Sequence, residues 1–328
     1  MKEYKVQLVS TGSLTQLPDS QKLFGALVYM YSEKYGQDHA SKLTKILLNH
    51  KNHLSISNVM PWEYLPMPQE YIIDGLSESE NDDRSLKEKR AAIKMRSYIR
   101  STDLASVLNQ KKRCENVFPY VKLQNTQQLR ASIESSFYKI PALDSNLYTV
   151  PTVQLVEISR DQKDEEQKRP VHTFCFYLCV DESEIFADLV EMLNEAVREK
   201  RTILLGKRTS QGLNTFKFQD VVEQDIRPIS GDCWFLNTGM LLPNKIDFGA
   251  STLKLFTSER RPFKMTGGWD KNFKRSFISF IAEGSIIFAP DGLADAGKSI
   301  ESPFNPQRDI VFGNAFLYPL SICHAEEG

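Results

Sequence analysis

The sequence lacks the features of a disulfide-bonded, metal-binding or membrane-spanning protein. Its five cysteines are an odd number, and no two are spaced CxxC, which argues against a disulfide framework and a zinc knuckle. No run approaches the roughly 18 apolar residues that a membrane span needs. Residues 1–4 do not begin an apolar segment of the kind found in signal peptides. We therefore expect a cytoplasmic protein with no membrane partner, no metal and no cofactor. The cysteines, expected to be core thiols, are Cys114, Cys175, Cys179, Cys233 and Cys323.

An excess of charge of one sign is also missing. The 41 Lys and Arg residues balance 42 Asp and Glu residues, for a formal net charge of -1. A nucleic acid can therefore be bound only through a local basic patch. A length of 328 residues with 41% hydrophobic residues predicts a globular chain of about two domains.

What is present is a glycine-rich basic loop at residues 205–214, expected between a helix and a strand. Its two glycines let the main chain approach a ligand closely, and the cations and hydroxyls between them suit a phosphate backbone. The order helix, loop, strand is the reverse of a P-loop or a dinucleotide fingerprint, which disfavours nucleotide hydrolysis. The alternative interpretation is a solvated hairpin or helix-exit loop. The residues are Gly206, Lys207, Arg208, Thr209, Ser210, Gln211 and Gly212.

Periodicity predicts the elements around this loop. Residues 4–10 form a strand, and a helix follows from the Asp19-Ser20 region to Gly36. Residues 172–180 suit a central strand. Residues 181–183 cap a helix that continues through an apolar stripe ending at Val197, and Phe216 begins another strand. With hairpins inserted over residues 118–156, the order is that of a βαββαβ ferredoxin-like domain. The apolar stripe expected on the first helix is Leu23, Phe24, Leu27, Met30 and Tyr31, and that on the second is Ile185, Phe186, Leu189, Val190, Leu193 and Val197.

The remaining segments are less regular. The sequence of residues 54–75, which is rich in proline and aromatics, predicts an ordered irregular loop. Residues 77–83 are expected to form a solvated tip. Residues 86–108 predict one basic helix, either a solvated surface helix or a contact for RNA or a partner. Strands dominate from Cys233 onward. The fold class is therefore α+β: a ferredoxin-like domain at residues 1–222, and a degenerate, β-rich, RRM-like domain at residues 223–328.

Taken together, these motifs resemble the RAMP superfamily of CRISPR-associated proteins, in which a glycine-rich loop follows the second helix of a ferredoxin-like domain. More narrowly, the chain looks like the family of fourth Csm subunits of type III-A effector complexes. Asn214 stands where the family loop usually ends in glycine, and asparagine tolerates left-handed backbone. The family also has Ser-Asp before the first helix, where this chain has Asp19-Ser20. The similar segments are residues 18–27, the loop near Trp62, residues 146–148, 206–214, 267–269, 274–275, 283–285 and 312–319.

The resemblance implies a non-catalytic RNA-binding subunit that holds the 5′ tag of the guide RNA. Its implied partners are that guide RNA, the large polymerase-nuclease subunit and a backbone subunit of the Csm complex, with target RNA nearby. The loop would follow the sugar-phosphate path, and other residues would supply hydroxyls, charge and aromatic stacking. Tyr148 lies where the family projects a hairpin across the guide–target duplex, although a buried strand tyrosine is the alternative. The further candidates are Thr11, Ser13, Ser20 and Lys22 near the first helix, and Arg260, Arg261, Trp269, Lys271, Lys274 and Arg275 in the second domain, where a solvated hairpin is the alternative.

Three other functions remain open from the residues. Some RAMP proteins process guide RNA with a histidine acting as general acid or base, and His39, His50 and His53 follow the first helix. A target-cleaving backbone subunit would need a catalytic aspartate, for which Asp19 is the nearest candidate. A metabolic enzyme on the same scaffold would need a paired acid and base or a metal cluster, and neither is evident.

Overall fold

The computed structural model describes residues 1–49, 53–76, 85–110, 112–133, 145–161, 163, 165–226, 233–260, 276–303 and 309–321. The protein is a mixed α+β chain, as predicted. The helices are α1 (Ser20–Tyr35), α2 (Gln37–Leu48), α3 (Gln69–Asp74), α4 (Leu86–Met95), α5 (Ser101–Leu108) and α6 (Glu184–Arg198). The strands are β1 (Lys2–Ser10), β2 (Leu54–Ile56), β3 (Met60–Pro61), β4 (Tyr64–Pro66), β5 (Tyr98–Arg100), β6 (Tyr120–Ile133), β7 (Ser145–Arg160), β8 (Glu166–Pro170), β9 (Thr173–Val180), β10 (Thr202–Leu204), β11 (Thr215–Gln224), β12 (Trp234–Asn237), β13 (Asp247–Thr252), β14 (Leu255–Arg260), β15 (Ser276–Ile281), β16 (Ile286–Phe288), β17 (Ile300–Glu301), β18 (Ile310–Val311) and β19 (Leu317–Pro319). Within the described ranges, no helix has both the length and the apolar character to cross a bilayer.

The first sheet has the strand order β10-β11-β1-β9-β2. β1 pairs antiparallel with both β11 and β9, so that Val6 lies between Val221 and Phe176. Nearly every residue of β9 is buried, which confirms the predicted central strand. The predicted succession is present as β1, α1, β2, the inserted segment, β9, α6 and β11. The assignment of two ferredoxin-like domains stays a prediction.

α1 packs on one face of this sheet, and its boundaries follow from local chemistry. The Asp19 side chain caps the amino terminus by accepting the Lys22 N–H at 2.9 Å, and Gly36 ends the helix with a φ of +90°. The predicted stripe is confirmed, because all five of its residues are buried. Each large apolar side chain that is buried contributes about 1.5–3 kcal/mol.

α6 covers the same face, but with a stripe that differs from the prediction. Phe186, Leu189 and Leu193 are buried as expected. Ile185, Val190 and Val197 are only partly buried, because Met192 and Ala196 take the central positions instead. The helix is therefore turned slightly relative to the predicted stripe.

The inserted segment forms a second sheet with the order β4-β5-β6-β7-β8. Its main feature is the long hairpin of β6 and β7, whose register runs from the Tyr120–Ile158 pair to the Ile133–Ser145 pair. This confirms the predicted hairpin insertion. The base of the hairpin is buried, whereas Leu129 and Leu147 near its far end are 65% and 67% exposed.

Two predictions for the first 110 residues are wrong. The segment at residues 54–75 is not an irregular loop, because it contains β2, β3, β4 and α3, with Pro61 and Pro66 at the ends of very short strands. Residues 86–108 do not form one helix, because β5 separates α4 from α5. α4 ends at Arg96, whose guanidinium donates to the carbonyls of Ala92 and Glu115 at 2.7 Å each. The predicted solvated tip at residues 77–83 lies outside the described residues.

The carboxyl-terminal part forms a sheet with the order β13-β16-β12-β19, beside the β14-β15 hairpin. It shares a hydrophobic core with the first sheet, and Phe24 stacks on Phe312 with ring centroids 4.3 Å apart. Ile56 exchanges backbone hydrogen bonds with Asn314 and Phe316. The two parts therefore pack as one continuous body, and the division at residues 222 and 223 stays a prediction.

Candidate RNA interface

The glycine-rich loop joins two strands. The sequence predicts that α6 leads directly into it, but β10 intervenes and pairs with β11, so residues 205–214 are the connection of a β-hairpin. β10 was not predicted, because three residues are too few to show the alternation of apolar and polar residues that indicates a strand. The loop thus lies at one corner of the first sheet, beyond the end of β1.

Two left-handed residues shape the tip of the loop. Arg208 (φ 60°, ψ 30°) and Gly212 (φ 75°, ψ 18°) flank a single turn of 3-10 helix at Thr209–Gln211. The Gln211 and Gly212 N–H groups donate to the carbonyls of Arg208 and Thr209, and these two amides are therefore unavailable to a ligand.

The rest of the tip is available to an anion. In the described part of the chain, the N–H groups of Lys207, Arg208, Thr209 and Ser210 have no hydrogen-bond acceptor. The side chains of Lys207 and Arg208 are exposed, and neither is paired with a described carboxylate. Backbone amides and unpaired cations on one tip are the groups that bind phosphate.

Asn214 holds the loop in place. It is fully buried, with a φ of +55°, and its side chain bonds two separate segments. Its Oδ1 accepts the Thr15 N–H, and its Nδ2 donates to Thr15 Oγ1 and to the Lys207 carbonyl, at 2.8 Å in each case. The residue that departs from the family's glycine therefore joins the loop to the segment that precedes α1.

Replacement of Asn214 by alanine is expected to lower the free energy of unfolding by about 1–3 kcal/mol, because it leaves the partly buried Thr15 N–H and Lys207 carbonyl without their partner. Asn214→Gly loses the same bonds but relieves the left-handed backbone, so its loss should be smaller by roughly 1 kcal/mol. Chemical denaturation of the three proteins measures both differences. Wild-type midpoints for both variants would mean that the bonds contribute nothing.

Gly12 makes the closest approach to the loop. A Cβ atom at this position would lie 1.9 Å from the Gly212 carbonyl oxygen and 2.9 Å from Thr215 Oγ1. Beside it, the Thr11 hydroxyl donates to Thr215 Oγ1 at 2.9 Å, and the Asn214 N–H donates to the Ser13 carbonyl at 3.0 Å. The structure therefore brings the predicted residues Thr11 and Ser13, both exposed, against the loop.

The β6-β7 hairpin reaches the same loop. The Arg130 guanidinium donates to Gln211 Oε1 at 3.2 Å, and the guanidinium of Arg208 lies 5.9 Å from the centre of the Tyr148 ring. Tyr148 lies on β7 of this hairpin and is only partly buried, so it is not the buried strand tyrosine of the alternative interpretation. Arg130 was not predicted as a site residue from the sequence. Its position opposite Tyr148 follows only from the pairing of β6 with β7.

Two of the predicted residues lie elsewhere. Ser20 is fully buried, and its hydroxyl accepts the Met240 N–H at 3.0 Å, so its side chain cannot reach RNA. The Lys22 ammonium is already paired with the Asp19 carboxylate. The backbone of Arg260 ends β14, and the predicted cluster members Arg261, Trp269, Lys271, Lys274 and Arg275 lie outside the described residues.

The Glu283 carboxylate joins three parts of the chain through hydrogen bonds. Glu283 accepts hydrogen bonds from Asn58 Nδ2 at 2.7 Å and from the Tyr98 hydroxyl at 3.1 Å. Asn58 Oδ1 in turn accepts the Ser20 N–H at 2.8 Å. Burial raises the pKa of Glu283, and the two donated hydrogen bonds oppose that shift. The network links the start of α1, the inserted sheet and the carboxyl-terminal part.

The residues considered for catalysis do not form a site in the described ranges. His39 is exposed, and burial lowers the pKa of His53. His50 lies outside the described residues. Asp19 caps α1 and pairs with Lys22. No group of three or more described His, Cys, Asp or Glu side chains is arranged to hold a metal ion.

Comparison with known proteins gives the fold. No protein-family model matches the sequence, and no curated protein matches it significantly. A Csm4 chain in the crystal structure of a Csm3–Csm4 subcomplex of a type III-A CRISPR-Cas interference complex superposes with a TM-score of 0.58 at 13% identity, over 98% of this chain and 100% of that one. A Csm4 chain of a Csm1–Csm4 cassette in complex with cA4 gives 0.57 at 16% identity, covering 99% and 100%, and one in complex with pppApA gives 0.56 at 17%, covering 100% of both.

These similarities span the whole chain, but their low identity restricts them to the fold. The chain therefore has the fold seen in Csm4 subunits of type III-A CRISPR complexes, as the sequence motifs suggest. The assignment of RNA-binding residues stays a prediction.

Proposed function

We propose that this chain is a non-catalytic RNA-binding subunit of a type III-A CRISPR ribonucleoprotein that holds the 5′ tag of the guide RNA. The observation that carries the proposal is the tip of the glycine-rich loop. It combines exposed Lys207 and Arg208, neither paired with a carboxylate of the described residues, with backbone amides that have no acceptor in that part of the chain. Phosphate contacts of this kind fix the position of a strand without requiring chemistry from the protein.

The shape of the region favours a single strand over a duplex. The loop is held between the segment at residues 11–15 and the β6-β7 hairpin, so that a ligand at its tip meets Arg130 and Tyr148 as well. Aromatic and guanidinium groups beside a phosphate site are the means by which proteins hold unpaired RNA.

The partners follow from the same proposal. The neighbours in fold are found with Csm1 in a cassette and with Csm3 in a subcomplex. We expect this chain to dock a large polymerase-nuclease subunit and a backbone subunit, with target RNA nearby. By fixing the tag, it would set the position from which target RNA is measured.

The test is binding of guide RNA with its own tag, with a scrambled tag and with no tag, to the chain alone and to the complex assembled with its large and backbone subunits. We expect the tagged RNA to bind at least about tenfold more tightly, since several phosphate and base contacts of about 1 kcal/mol each are at stake. We also expect no cleavage of any of the RNAs.

Two results would contradict the proposal. Equal affinity for all three RNAs, alone and in the complex, would exclude tag recognition. Metal-independent cleavage that is lost in His39→Ala or His53→Ala would make the protein a guide-RNA-processing endoribonuclease instead.

A further inference from the structure

A cleft of about 540 Å³ lies between the base of the β6-β7 hairpin, residues 10–14 and residues 170–172. This volume is within the roughly 300–1,000 Å³ typical of sites for small ligands. The cleft borders the segment that contacts the glycine-rich loop, since Ser10, Thr11, Gly12 and Ser13 all line it. It is therefore next to the proposed phosphate site but separate from it.

The lining of the cleft contains one histidine, His172, which is exposed. None of its described lining residues is Asp, Glu, Lys or Arg. Its accessible apolar walls include Val153, Pro170 and Val171. Behind them lie Leu14, Leu155 and Phe174, which are almost fully buried. The cleft offers a phosphate no Lys or Arg, whereas its mixture of apolar and hydroxyl groups suits a flat ring with an apolar body.

Hydroxyl groups supply polarity in the cleft. Thr126 Oγ1 and Thr152 Oγ1 lie 2.8 Å apart and are bonded to each other across the hairpin. The Ser10 hydroxyl lies 3.4 Å from the His172 carbonyl, a long contact that is easily exchanged. Hydroxyls can both donate and accept, so these groups can match the edge of a heteroaromatic ring.

The cleft and the phosphate site share one face of the hairpin. Thr126 pairs with Thr152, and two pairs farther along the same face Arg130 pairs with Tyr148. Tyr148 is the residue under Arg208 of the loop. The distance from Thr152 to Tyr148 along β7 is about 13 Å, at roughly 3.3 Å per residue. A strand held at the loop therefore runs beside the mouth of the cleft.

We propose that this cleft holds one unstacked nucleobase of the bound RNA. The inference rests on the proposed function and adds a division of labour to it, with the loop binding phosphate and the cleft binding a base. A nucleobase is uncharged, has apolar faces and carries donors and acceptors at its edge, as the lining requires. The threonine hydroxyls exchange their mutual hydrogen bond for bonds to the base.

The test combines abasic RNA with a matched pair of protein variants. Each nucleotide of the tag is replaced in turn by an abasic one, and the affinity of the wild-type protein is measured. We expect one position to lose about 5- to 100-fold, the range for a single held base. Thr126→Val/Thr152→Val removes both hydroxyls at nearly constant volume, so it should leave the melting temperature almost unchanged.

This variant should weaken binding of intact tagged RNA and yet bind the critical abasic RNA as the wild type does. Thr257→Val/Ser279→Ala, which removes the similar 3.1 Å hydroxyl pair of the β14-β15 hairpin, is the control and should bind every RNA normally. If the double valine variant melts at a lower temperature than the wild type, Thr126→Val alone provides the same comparison, since Thr126 is exposed.

Tag-dependent binding in which no abasic position responds to the threonine variants would overturn the cleft assignment alone. Indifference of the wild-type protein to the tag would instead overturn the proposed function.

Discussion

Replacement of Lys207 and Arg208 together by alanine is expected to weaken binding of tagged guide RNA by about 10- to 100-fold. Both side chains are exposed on the loop tip, and neither is paired with a described carboxylate. The contact of the Arg208 guanidinium with the Tyr148 ring, at 5.9 Å from the ring centre, is the interaction that phosphate binding would have to share or replace. Each charge-assisted contact contributes about 1 kcal/mol or somewhat more, and 1.4 kcal/mol corresponds to tenfold.

The dependence of affinity on salt gives a second measurement. For single strands, the slope of log affinity against log salt falls by about 0.7 for each phosphate neutralised. The double variant should therefore show a slope that is shallower by about 1.4. Filter binding or anisotropy at several salt concentrations measures the slope and the affinity together.

A charge-matched control separates this site from general attraction. Lys42→Ala/Lys45→Ala removes two exposed cations from α2. Leu43 of this helix lies beside β2, which is at the opposite edge of the first sheet from β10 and β11. It should leave both affinity and slope nearly unchanged. If the two double variants behave alike, RNA is attracted by overall charge and the loop is not its site.

The sequence alone predicted the structural elements that depend on interactions between residues close together in the chain. The Asp19 cap, the stripe of α1 and the glycine termination at Gly36 involve residues within one or two turns of each other. The composition of the loop predicted a phosphate site for the same reason, since its cations and glycines are contiguous.

The details that make the site depend on contacts between residues far apart in the chain. Asn214 bonds Thr15, 199 residues away, and no pattern within the loop indicates that bond. The sequence predicts Ser20 as an anion contact, but its hydroxyl accepts the Met240 N–H, 220 residues away. Arg130 could not be assigned to the loop without the register of the hairpin. Local signals therefore predict a phosphate site in the loop, which stays a prediction, but they do not indicate the contacts that hold the loop in place.

Substitution of Gly12 by alanine is expected to destabilise the protein and to weaken RNA binding in the same variant. The added Cβ would lie 1.9 Å from the Gly212 carbonyl oxygen, and a backbone atom cannot turn away as a side chain can. Either the segment at residues 11–15 or the loop must move, which breaks bonds such as that from the Asn214 N–H to the Ser13 carbonyl. Overpacking of this kind typically costs about 1–3 kcal/mol and sometimes more. Denaturant unfolding and hydrogen exchange of the loop amides measure the two effects.

Two other glycines allow the cause to be identified. Gly25 lies inside α1 with open space around it, so Gly25→Ala should stabilise the protein by up to about 1 kcal/mol. Gly212 also has open space, but its φ of +75° disfavours any side chain, so Gly212→Ala should cost roughly 1–2 kcal/mol through backbone strain alone. Gly12 has no such φ, so its effect must come from the close contact with the loop. If Gly12→Ala unfolds at the same denaturant concentration as the wild type, the two segments do not touch as the structure places them. The loop would then need another support to present Lys207 and Arg208 in a fixed position.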